Sequence, residues 1–321
     1  MKPELPSYPT TTPVQMPAQG ILPPAVHRFH PDTVAALHMA EVTGRPLLLR
    51  GLPGVGKSQT ARAAAFAAGR PLLTQMIDGR TEPHDLMWRF DQVSRLADAQ
   101  VLKHGQELRA ESHYLSPQNL WWAFDWAGLA NEGQPQPAQT PKKWQAGQHR
   151  AVLLIDEIDK ADPELPNALL EVLSSNGFGV PLTGQKVQCD AHNRPLIVIT
   201  TNEERELPQP FLRRCLVHRL ELANDETALT NELQLIGAEH QAWLVQSGLR
   251  SAAGTCLIVN EVAACVAEER ISRLVGHDYL PGTSEFLDLV TALAELWPGD
   301  EAAQRLQLKT LQKFVFSKSA R

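Results

Sequence analysis

Short apolar runs alternate with longer stretches of mixed polarity through the middle of the chain. The runs read RPLLLR (45–50), PLLTQMI (71–77), AVLLID (151–156) and PLIVITT (195–201). Because almost every position in them is apolar, they predict strands that are covered on both faces, as in a parallel sheet. The alternation of strands with helices then predicts an α/β fold with a doubly wound parallel sheet.

Polar residues and glycines mark where several of the helices should begin and end. One helix is predicted over 30–44, with Asp32 as its N-cap and Gly44 as its end. Another should follow Asp162 as its N-cap and stop at Gly177. The first of these helices would lead directly into the first predicted strand.

The two ends of the chain differ from the middle. Residues 1–25 hold seven prolines and little periodicity, which predicts an extended or disordered tail. Strand signals vanish in the last third, where the stretches 260–276 and 283–298 are amphipathic at helical spacing. We therefore expect an α/β nucleotide-binding domain over 26–222 and a small all-helical domain over 223–321.

The charge balance limits the classes of partner. The chain carries 30 Lys+Arg against 36 Asp+Glu, a formal charge of −6, so no overall basic field attracts nucleic acid. A local basic patch remains compatible with this balance. A nucleic-acid partner is therefore not expected.

Membrane association and export are not indicated. No apolar stretch approaches the ~20 residues that a membrane span needs, and the N-terminus lacks the pattern of a secretory signal. The four cysteines have no metal-site spacing and are expected to be small buried thiols in a reducing compartment. We therefore expect a cytoplasmic protein with no membrane partner.

The stretch GLPGVGKS (51–58) matches the phosphate-binding pattern G-x-x-x-x-G-K-[ST] in full, between a predicted strand and a predicted helix. Its glycines let backbone N–H groups turn toward phosphate oxygens, at the positive end of the helix dipole. Lys57 would reach the β- and γ-phosphates of ATP, and the Ser58 hydroxyl would ligate Mg²⁺. The residues expected to contact the nucleotide or its metal are Gly51, Pro53, Gly54, Val55, Gly56, Lys57, Ser58, Gln59 and Asp156.

An acidic pair ends the third predicted strand, in VLLIDEID (152–159). Asp156 would hold the Mg²⁺ through water, and Glu157 would act as general base on the attacking water. A glutamate at this position favours a hydrolysing ATPase over small GTPases and many nucleotide kinases, which lack it. Asn202, directly after the fourth strand, would orient the lytic water or bond the γ-phosphate.

Two adjacent arginines follow the fourth strand, in ELPQPFLRRC (206–215). Arginine keeps its charge and offers phosphate a planar fork of donors, and in phosphoryl transfer such a residue is worth on the order of 10³–10⁵ in rate. Because Arg213 and Arg214 lie outside the phosphate loop of their own chain, we expect them to serve a neighbouring subunit, which implies a ring. The alternative is that both are solvated surface side chains.

These motifs, in this order and spacing, resemble those of the AAA+ ATPases over roughly residues 26–298. The segments RTEPHDLMWRF (80–90) and GTSEFLDLV (282–290) are similar to features of the dynein-related, MoxR-type branch. In that branch a T-E-x-x-D-L segment follows the second strand, and an S-T-S-E-like turn opens a lid helix. The stretch SNGFGVPLTGQK (175–186) is placed like the hairpin that precedes sensor 1.

The resemblance implies a P-loop domain followed by a helical lid, with ATP and Mg²⁺ as cofactors. It also implies hexameric rings that act as chaperone-like remodellers, often beside a von Willebrand factor A partner. It aligns Arg214 best with the arginine finger, with Arg213 as the alternative. The Walker A, Walker B and sensor 1 roles fall on Lys57, Ser58, Asp156, Glu157 and Asn202.

The chain departs from the family pattern at the lid. Relatives usually carry an Arg or Lys, called sensor 2, at the start of the lid segment. Here the stretch GHDYLPGTSE (276–285) offers no Lys or Arg between Arg273 and the turn. Whether lid closure is coupled to the γ-phosphate is therefore open.

The Trp-rich segment WWAFDW (121–126) allows two interpretations. Its tryptophans would most simply be core residues. Alternatively, an insertion presents them to a partner or to a ring neighbour. The sequence does not decide between these interpretations.

The leading hypothesis for function is a ring-forming ATPase that remodels or activates a protein partner. One alternative is a nucleic-acid-dependent AAA+ motor in restriction or defence, which stimulation of hydrolysis by DNA or RNA would reveal. The other alternative is a nucleotide-gated scaffold that binds ATP to assemble and hardly turns it over. The lack of a sensor 2 residue is compatible with the scaffold hypothesis, whereas Glu157, as a general base for hydrolysis, argues against it.

Overall fold

The computed structural model describes residues 5–20, 22–101, 107–137, 140–141, 150–190, 193–274 and 279–317. The strands in these ranges are β1 (Val14–Met16), β2 (Ala25–His27), β3 (Leu47–Arg50), β4 (Leu72–Met76), β5 (Trp88–Phe90), β6 (Leu115–Pro117), β7 (Val152–Asp156), β8 (Gly177–Val180), β9 (Gln185–Gln188), β10 (Leu196–Thr201) and β11 (Leu216–Arg219). The α-helices there are α1 (Pro31–Thr43), α2 (Lys57–Ala67), α3 (Gln92–Val101), α4 (Asn119–Phe124), α5 (Trp126–Asn131), α6 (Glu164–Ser175), α7 (Gln209–Arg214), α8 (Glu226–Gln246), α9 (Val259–Arg273), α10 (Thr283–Leu296) and α11 (Glu301–Phe316).

A five-stranded sheet in the order β11-β3-β10-β7-β4 forms the centre of the α/β fold. Both β10 and β4 pair parallel with β7, and Leu72 and Leu196 each lie opposite Val152. These three strands therefore start level, and their carboxyl ends lie along one edge. All four predicted strands are confirmed. The edge strand β11 was missed because its burial alternates along only four residues.

The tryptophans of residues 121–126 are core residues. Trp121, Trp122 and Trp126 are each less than 10% exposed, and they pack in the same cluster as the apolar side chains of β7. The Trp122 and Trp126 rings meet edge to face at 5.0 Å. The first of the two interpretations of this segment is thus confirmed.

The chain forms two compact units, each made of separate segments. One comprises Met1–Ser7, Asp32–Leu49 and Ala64–His218, and it contains β7, β10 and α7. The other comprises Tyr8–Pro31, Arg50–Ala63 and Arg219–Arg321. These segments do not decide where the domains predicted over 26–222 and 223–321 begin and end, so those boundaries stay a prediction.

The C-terminal helices build a core of their own, as predicted for an all-helical region. Every one of the four helices from α8 to α11 contributes buried side chains to it. The close approach of α8 to α10 occurs at Gly237, where an added Cβ would lie 2.7 Å from the Phe286 ring. The principal buried residues are Leu229, Leu233, Val262, Val266, Phe286, Leu289, Val290, Leu293 and Leu308.

The N-terminal segment contains more structure than its prolines suggested. β1 pairs antiparallel with β2, Val14 lying opposite His27, and Tyr8, Val14 and Met16 are buried. The Tyr8 ring packs on Phe29 at 5.5 Å. The expectation of a disordered tail is corrected for these residues, because apolar side chains two positions apart pair across a hairpin while the prolines lie outside its paired positions.

Two helix boundaries also differ from prediction. α1 begins at Pro31, so Asp32 lies inside its first turn and is not the N-cap, while Gly44 ends the helix at φ 66° as expected. α6 ends at Ser175, two residues before Gly177, because Asn176 itself adopts the left-handed conformation at φ 50°. Asparagine tolerates that region better than most residues, which explains the shift.

Candidate functional site

The phosphate-loop residues connect the end of β3 to the start of α2. Gly51, Gly54 and Gly56 have φ values of 146°, 81° and 92°, which side-chain-bearing residues rarely adopt. Gly51 is required for space as well, because an added Cβ would lie 2.3 Å from the Leu220 carbonyl oxygen. The loop therefore has a conformation that only this glycine spacing permits.

Lys57 begins α2 and is 7% exposed. Its Nζ donates hydrogen bonds to the carbonyl oxygens of Gly51 at 2.7 Å and of Leu52 at 2.8 Å. The ammonium group is thus held over the loop that its own backbone forms. A positive charge at the N-terminus of a helix, beside turned N–H groups, is an environment for phosphate oxygens.

The other predicted contact residues surround this loop. Pro53 is exposed, Ser58 and Gln59 are half-buried in the first turn of α2, and Val55 packs against the core of the C-terminal helices. His27 of β2 lies beside the same helix, with its Nε2 3.4 Å from Thr60 Oγ1. Burial lowers the pKa of His27 to about 4, so its imidazole is neutral at pH 7.

The lid helix α10 starts beside Gly54. An added Cβ at Gly54 would lie 3.2 Å from Ser284 Oγ and 3.5 Å from Glu285 Oε2. The Glu285 carboxylate caps the helix by accepting the Gly282 N–H at 2.9 Å. The next residue, Phe286, is fully buried in the lid core. The lid residues at this point are therefore a hydroxyl and a carboxylate, whereas a sensor 2 residue would be a cation.

In the other unit, Asp156 ends β7 and is 7% exposed. Its Oδ1 accepts a hydrogen bond of 2.6 Å from the hydroxyl of Thr200 on the neighbouring strand β10. The same hydroxyl oxygen accepts the Glu157 N–H at 2.9 Å. One buried threonine therefore orients the backbone and side chain of the acidic pair.

Glu157 has a left-handed backbone conformation, with φ 61° and ψ 49°. That region is uncommon for a residue other than Gly, Asn or Asp, and such strain concentrates at functional sites. Its Oε1 accepts a hydrogen bond from Asn202 Nδ2 at 3.2 Å, and its Oε2 pairs with Lys160 Nζ at 2.6 Å. The predicted base and the predicted sensor thus contact each other directly.

A buried aspartate fixes the turn that carries Asn202. Asp159 is 2% exposed, and its Oδ2 accepts the N–H groups of Asn202 at 3.1 Å and Glu204 at 3.0 Å. The turn after β10 is thus tied to the turn after β7. The structure brings together Asp156, Glu157 and Asn202 as the sequence predicted, and it adds Thr200 and Asp159 as their supports.

The arginine pair ends α7, in the unit that holds the acidic pair. Arg214 Nη1 donates to the Leu170 carbonyl oxygen at 3.0 Å and contacts Ser174 Oγ, both in α6. Both Arg213 and Arg214 are exposed, and they line a cavity of about 400 Å³. Two further arginines, Arg45 and Arg194, line the same cavity.

The family model for the AAA domain of the dynein-related subfamily matches residues 46–215, which is more than half of the chain. The chain belongs to this family. Membership indicates an ATP-binding, ATP-hydrolysing P-loop protein, and it accords with the phosphate loop and acidic strand end described above. The assignment of a role to each residue goes beyond the family match.

Other comparisons add little to the AAA assignment. The crystal structure of NtrX from Brucella abortus is similar at a TM-score of 0.46 and 15% sequence identity, over 84% of this chain and 51% of that one. This chain thus corresponds to about half the length of that protein, and a TM-score below 0.5 supports no further conclusion. A comparison with curated proteins found no match. Among the described residues, no helix is both long and apolar enough to cross a membrane.

The donor groups of this AAA domain fit ATP with Mg²⁺. Mg²⁺ prefers hydroxyl, carboxylate and water oxygens, and the side chains of Ser58 and Asp156 are a hydroxyl and a carboxylate. The turned glycines and the buried Lys57 ammonium fit phosphate oxygens. The residues predicted as metal ligands are therefore of the right chemical type.

Several residues of the site were missed from the sequence. Lys160 lies three positions after Glu157, a spacing that allows contact in a helical turn, so the pair was visible in DEIDK. Thr200 and Asp159 act across two strands, and their roles depend on sheet order. His27 and Arg45 contact their partners only through tertiary structure, and no local pattern marks them.

Proposed function

We propose that this protein is a ring-forming ATPase that couples ATP hydrolysis to remodelling or activation of a protein partner, as in MoxR-type proteins. The observation that carries the hydrolytic part is the pairing of Glu157 with Asn202, directly beside Asp156. A carboxylate held by an amide in a strained turn is an arrangement for activating and orienting water.

The roles follow from the chemistry of each group. The glycine N–H groups and Lys57 would bind the phosphates. Ser58 and Asp156 carry the oxygen groups proposed as Mg²⁺ ligands, and the charge of that ion would neutralise phosphate oxygens. Glu157 takes a proton from the attacking water, and Asn202 orients that water. Because Lys160 occupies Glu157 Oε2 in the structure, this ion pair has to open or shift for that oxygen to act as the base.

The arginine pair supports assembly into a ring, for which we propose six subunits. Within the described residues that line the cavity, four are arginines and none is Asp or Glu. A cluster of cations without carboxylates is an environment for an anion from outside the chain, and a neighbour's ATP supplies one. We propose Arg214 as the arginine finger, with Arg213 as the alternative.

The partner is proposed to be a protein, for which a von Willebrand factor A protein is the leading candidate, and the location is proposed to be cytoplasmic. The family resemblance supports the partner. The net charge of −6 supports a protein client over nucleic acid. If DNA or RNA stimulated hydrolysis severalfold, the nucleic-acid motor would replace this proposal.

The variant Glu157→Gln tests the hydrolytic role. The amide keeps the shape of the side chain but cannot take a proton, so we expect ATP binding within about threefold of wild type and turnover lower by about 10²–10⁴. Calorimetry measures ATP binding, and steady-state phosphate release measures turnover. Glu203→Gln is the matched control, because Glu203 also has a left-handed backbone, at φ 63°. Near-normal turnover of Glu157→Gln would refute the role.

A nucleotide-gated scaffold is the second candidate, and the lid favours it. The lid residues nearest Gly54 of the phosphate loop are Ser284 and Glu285, and neither of them is a cation that could bind the γ-phosphate. This arrangement would slow hydrolysis without preventing binding. Wild-type turnover indistinguishable from that of Glu157→Gln, together with ATP-dependent assembly, would support the scaffold over the ATPase.

A further inference from the structure

The end of α7 that carries the arginine pair is held by a third arginine. Arg45 lies two residues before β3, and its guanidinium donates to the carbonyl oxygens of Arg213 at 2.7 Å, Arg214 at 3.2 Å and Cys215 at 2.9 Å. All four residues belong to the same unit. One side chain thus binds three consecutive carbonyl groups of the segment.

This contact satisfies a physical requirement of the helix end. The last carbonyl groups of a helix have no partner within it and carry partial negative charge, so they bind a cation favourably. A guanidinium spans several acceptors at once because its donors lie in a fixed plane, whereas a lysine ammonium is a single point. Arg45 therefore fixes both the position and the direction of the backbone at Arg213 and Arg214.

The electrostatics of the cavity make such a support necessary. Arg45, Arg194, Arg213 and Arg214 all line it, and the described residues around it include no carboxylate. Because neighbouring cations repel one another, hydrogen bonds to fixed groups have to hold the segment that carries Arg213 and Arg214 beside Arg194. The Leu170 carbonyl restrains the Arg214 side chain, and the Arg45 guanidinium restrains the backbone of residues 213–215.

We propose that Arg45 is a positioning residue for the arginine finger: its three hydrogen bonds to residues 213–215 set the geometry in which the arginine pair reaches the nucleotide of a neighbouring subunit. This inference rests on the proposed function. In this proposal Arg45 acts through the backbone of residues 213–215. Its effect is on turnover, through the placement of groups on which the reaction depends.

The test measures ATP turnover and ATP affinity of Arg45→Ala in the full-length protein. We expect turnover to fall about 10–100-fold, as misplacement of a catalytic group by about 1 Å does, with affinity within about twofold. Arg45→Lys should recover part of the loss, because it restores one charged donor. Arg45→Gln is the second variant if Arg45→Ala does not fold. Arg150→Ala is the matched control, since Arg150 is a half-buried arginine that donates to Glu41 of α1.

Mixing experiments separate a positioning role from a general loss of structure. Arg45→Ala keeps its own Glu157, and in mixed assemblies with Glu157→Gln it receives an intact arginine pair from its neighbour. Part of the activity should therefore return, with co-assembly verified by native mass spectrometry. Mixing Arg45→Ala with the double variant Arg213→Ala/Arg214→Ala should recover no ATP hydrolysis.

Two results would overturn the inference. One is turnover within about twofold of wild type in a folded Arg45→Ala or Arg45→Gln. The other is a loss of turnover that Glu157→Gln does not complement in verified mixed assemblies, because that loss would lie in the variant's own site. If instead Arg213→Ala and Arg214→Ala both hydrolyse ATP normally, the proposed shared site fails as well.

Discussion

Replacing Thr200 by valine should disable the acidic pair without changing any residue of that pair. Thr200 is 1% exposed, donates to Asp156 Oδ1 at 2.6 Å and accepts the Glu157 N–H at 2.9 Å. Valine has nearly the same shape, but its side chain neither donates nor accepts a hydrogen bond. Both hydrogen bonds are therefore lost while the volume of the side chain stays nearly the same.

The size of the effect follows from these two bonds. A hydrogen bond to a charged group contributes about 1.5–3 kcal/mol, and leaving a buried N–H without a partner costs about 1–3 kcal/mol. Because the two losses overlap at one hydroxyl, we expect Thr200→Val to lower the free energy of unfolding by about 2–4 kcal/mol. With Asp156 and Glu157 free to reorient, turnover should fall about 10²-fold.

Urea unfolding and steady-state phosphate release measure these two quantities. Thr201→Val is the matched control, because Thr201 is the next residue of β10, is equally buried, and its hydroxyl accepts the Glu203 N–H at 3.0 Å. We expect it to keep turnover within about threefold of wild type. Thr200→Ser should restore most of the turnover. If Thr200→Val hydrolyses ATP as fast as Thr201→Val, the hydroxyl does not orient the acidic pair and this reasoning is wrong.

Three further predictions concern the unit that contains the phosphate loop. Lys57→Ala should fold but lose measurable ATP binding by calorimetry, and affinity equal to wild type would disprove its role. The pKa of His27 is lowered to about 4 in the folded protein. Between pH 6.5 and 4 the His27 imidazole therefore binds a proton in the unfolded chain but not in the folded one. Stability should therefore fall as pH falls through that window, by on the order of 2 kcal/mol after allowing for partial exposure. Urea unfolding should show a weaker pH dependence in His27→Gln, and identical curves would contradict this. Gly237→Ala should lower stability by about 1–3 kcal/mol, because its Cβ would lie 2.7 Å from atoms of Phe286 and Val259, and a higher melting temperature would contradict the packing.

The fold could be predicted where the local pattern is strong. The runs that became β7 and β10 are apolar at nearly every position, because both faces of a central strand are buried. The phosphate loop was visible because φ values such as the 81° of Gly54 restrict the residue type. The edge strand β11 gave no such signal, and neither did the pairing of β1 with β2.

The supports of the site could not be predicted, because they depend on which segments become neighbours. Thr200 orients Asp156 only because β10 lies beside β7. Arg45 reaches the end of α7 from a position 168 residues earlier in the chain. A sequence pattern identifies the groups that carry out the chemistry, whereas the groups that hold them are set by tertiary structure.

We propose that ATP is hydrolysed at a site to which a second subunit contributes its arginine pair. The double variant Arg213→Ala/Arg214→Ala and the variant Glu157→Gln should each hydrolyse ATP poorly alone. Mixed, with co-assembly shown by native mass spectrometry, they should regain part of the wild-type phosphate release, because some interfaces then pair an intact Glu157 with an intact arginine pair. Mixed assemblies that form and regain no activity would contradict the claim.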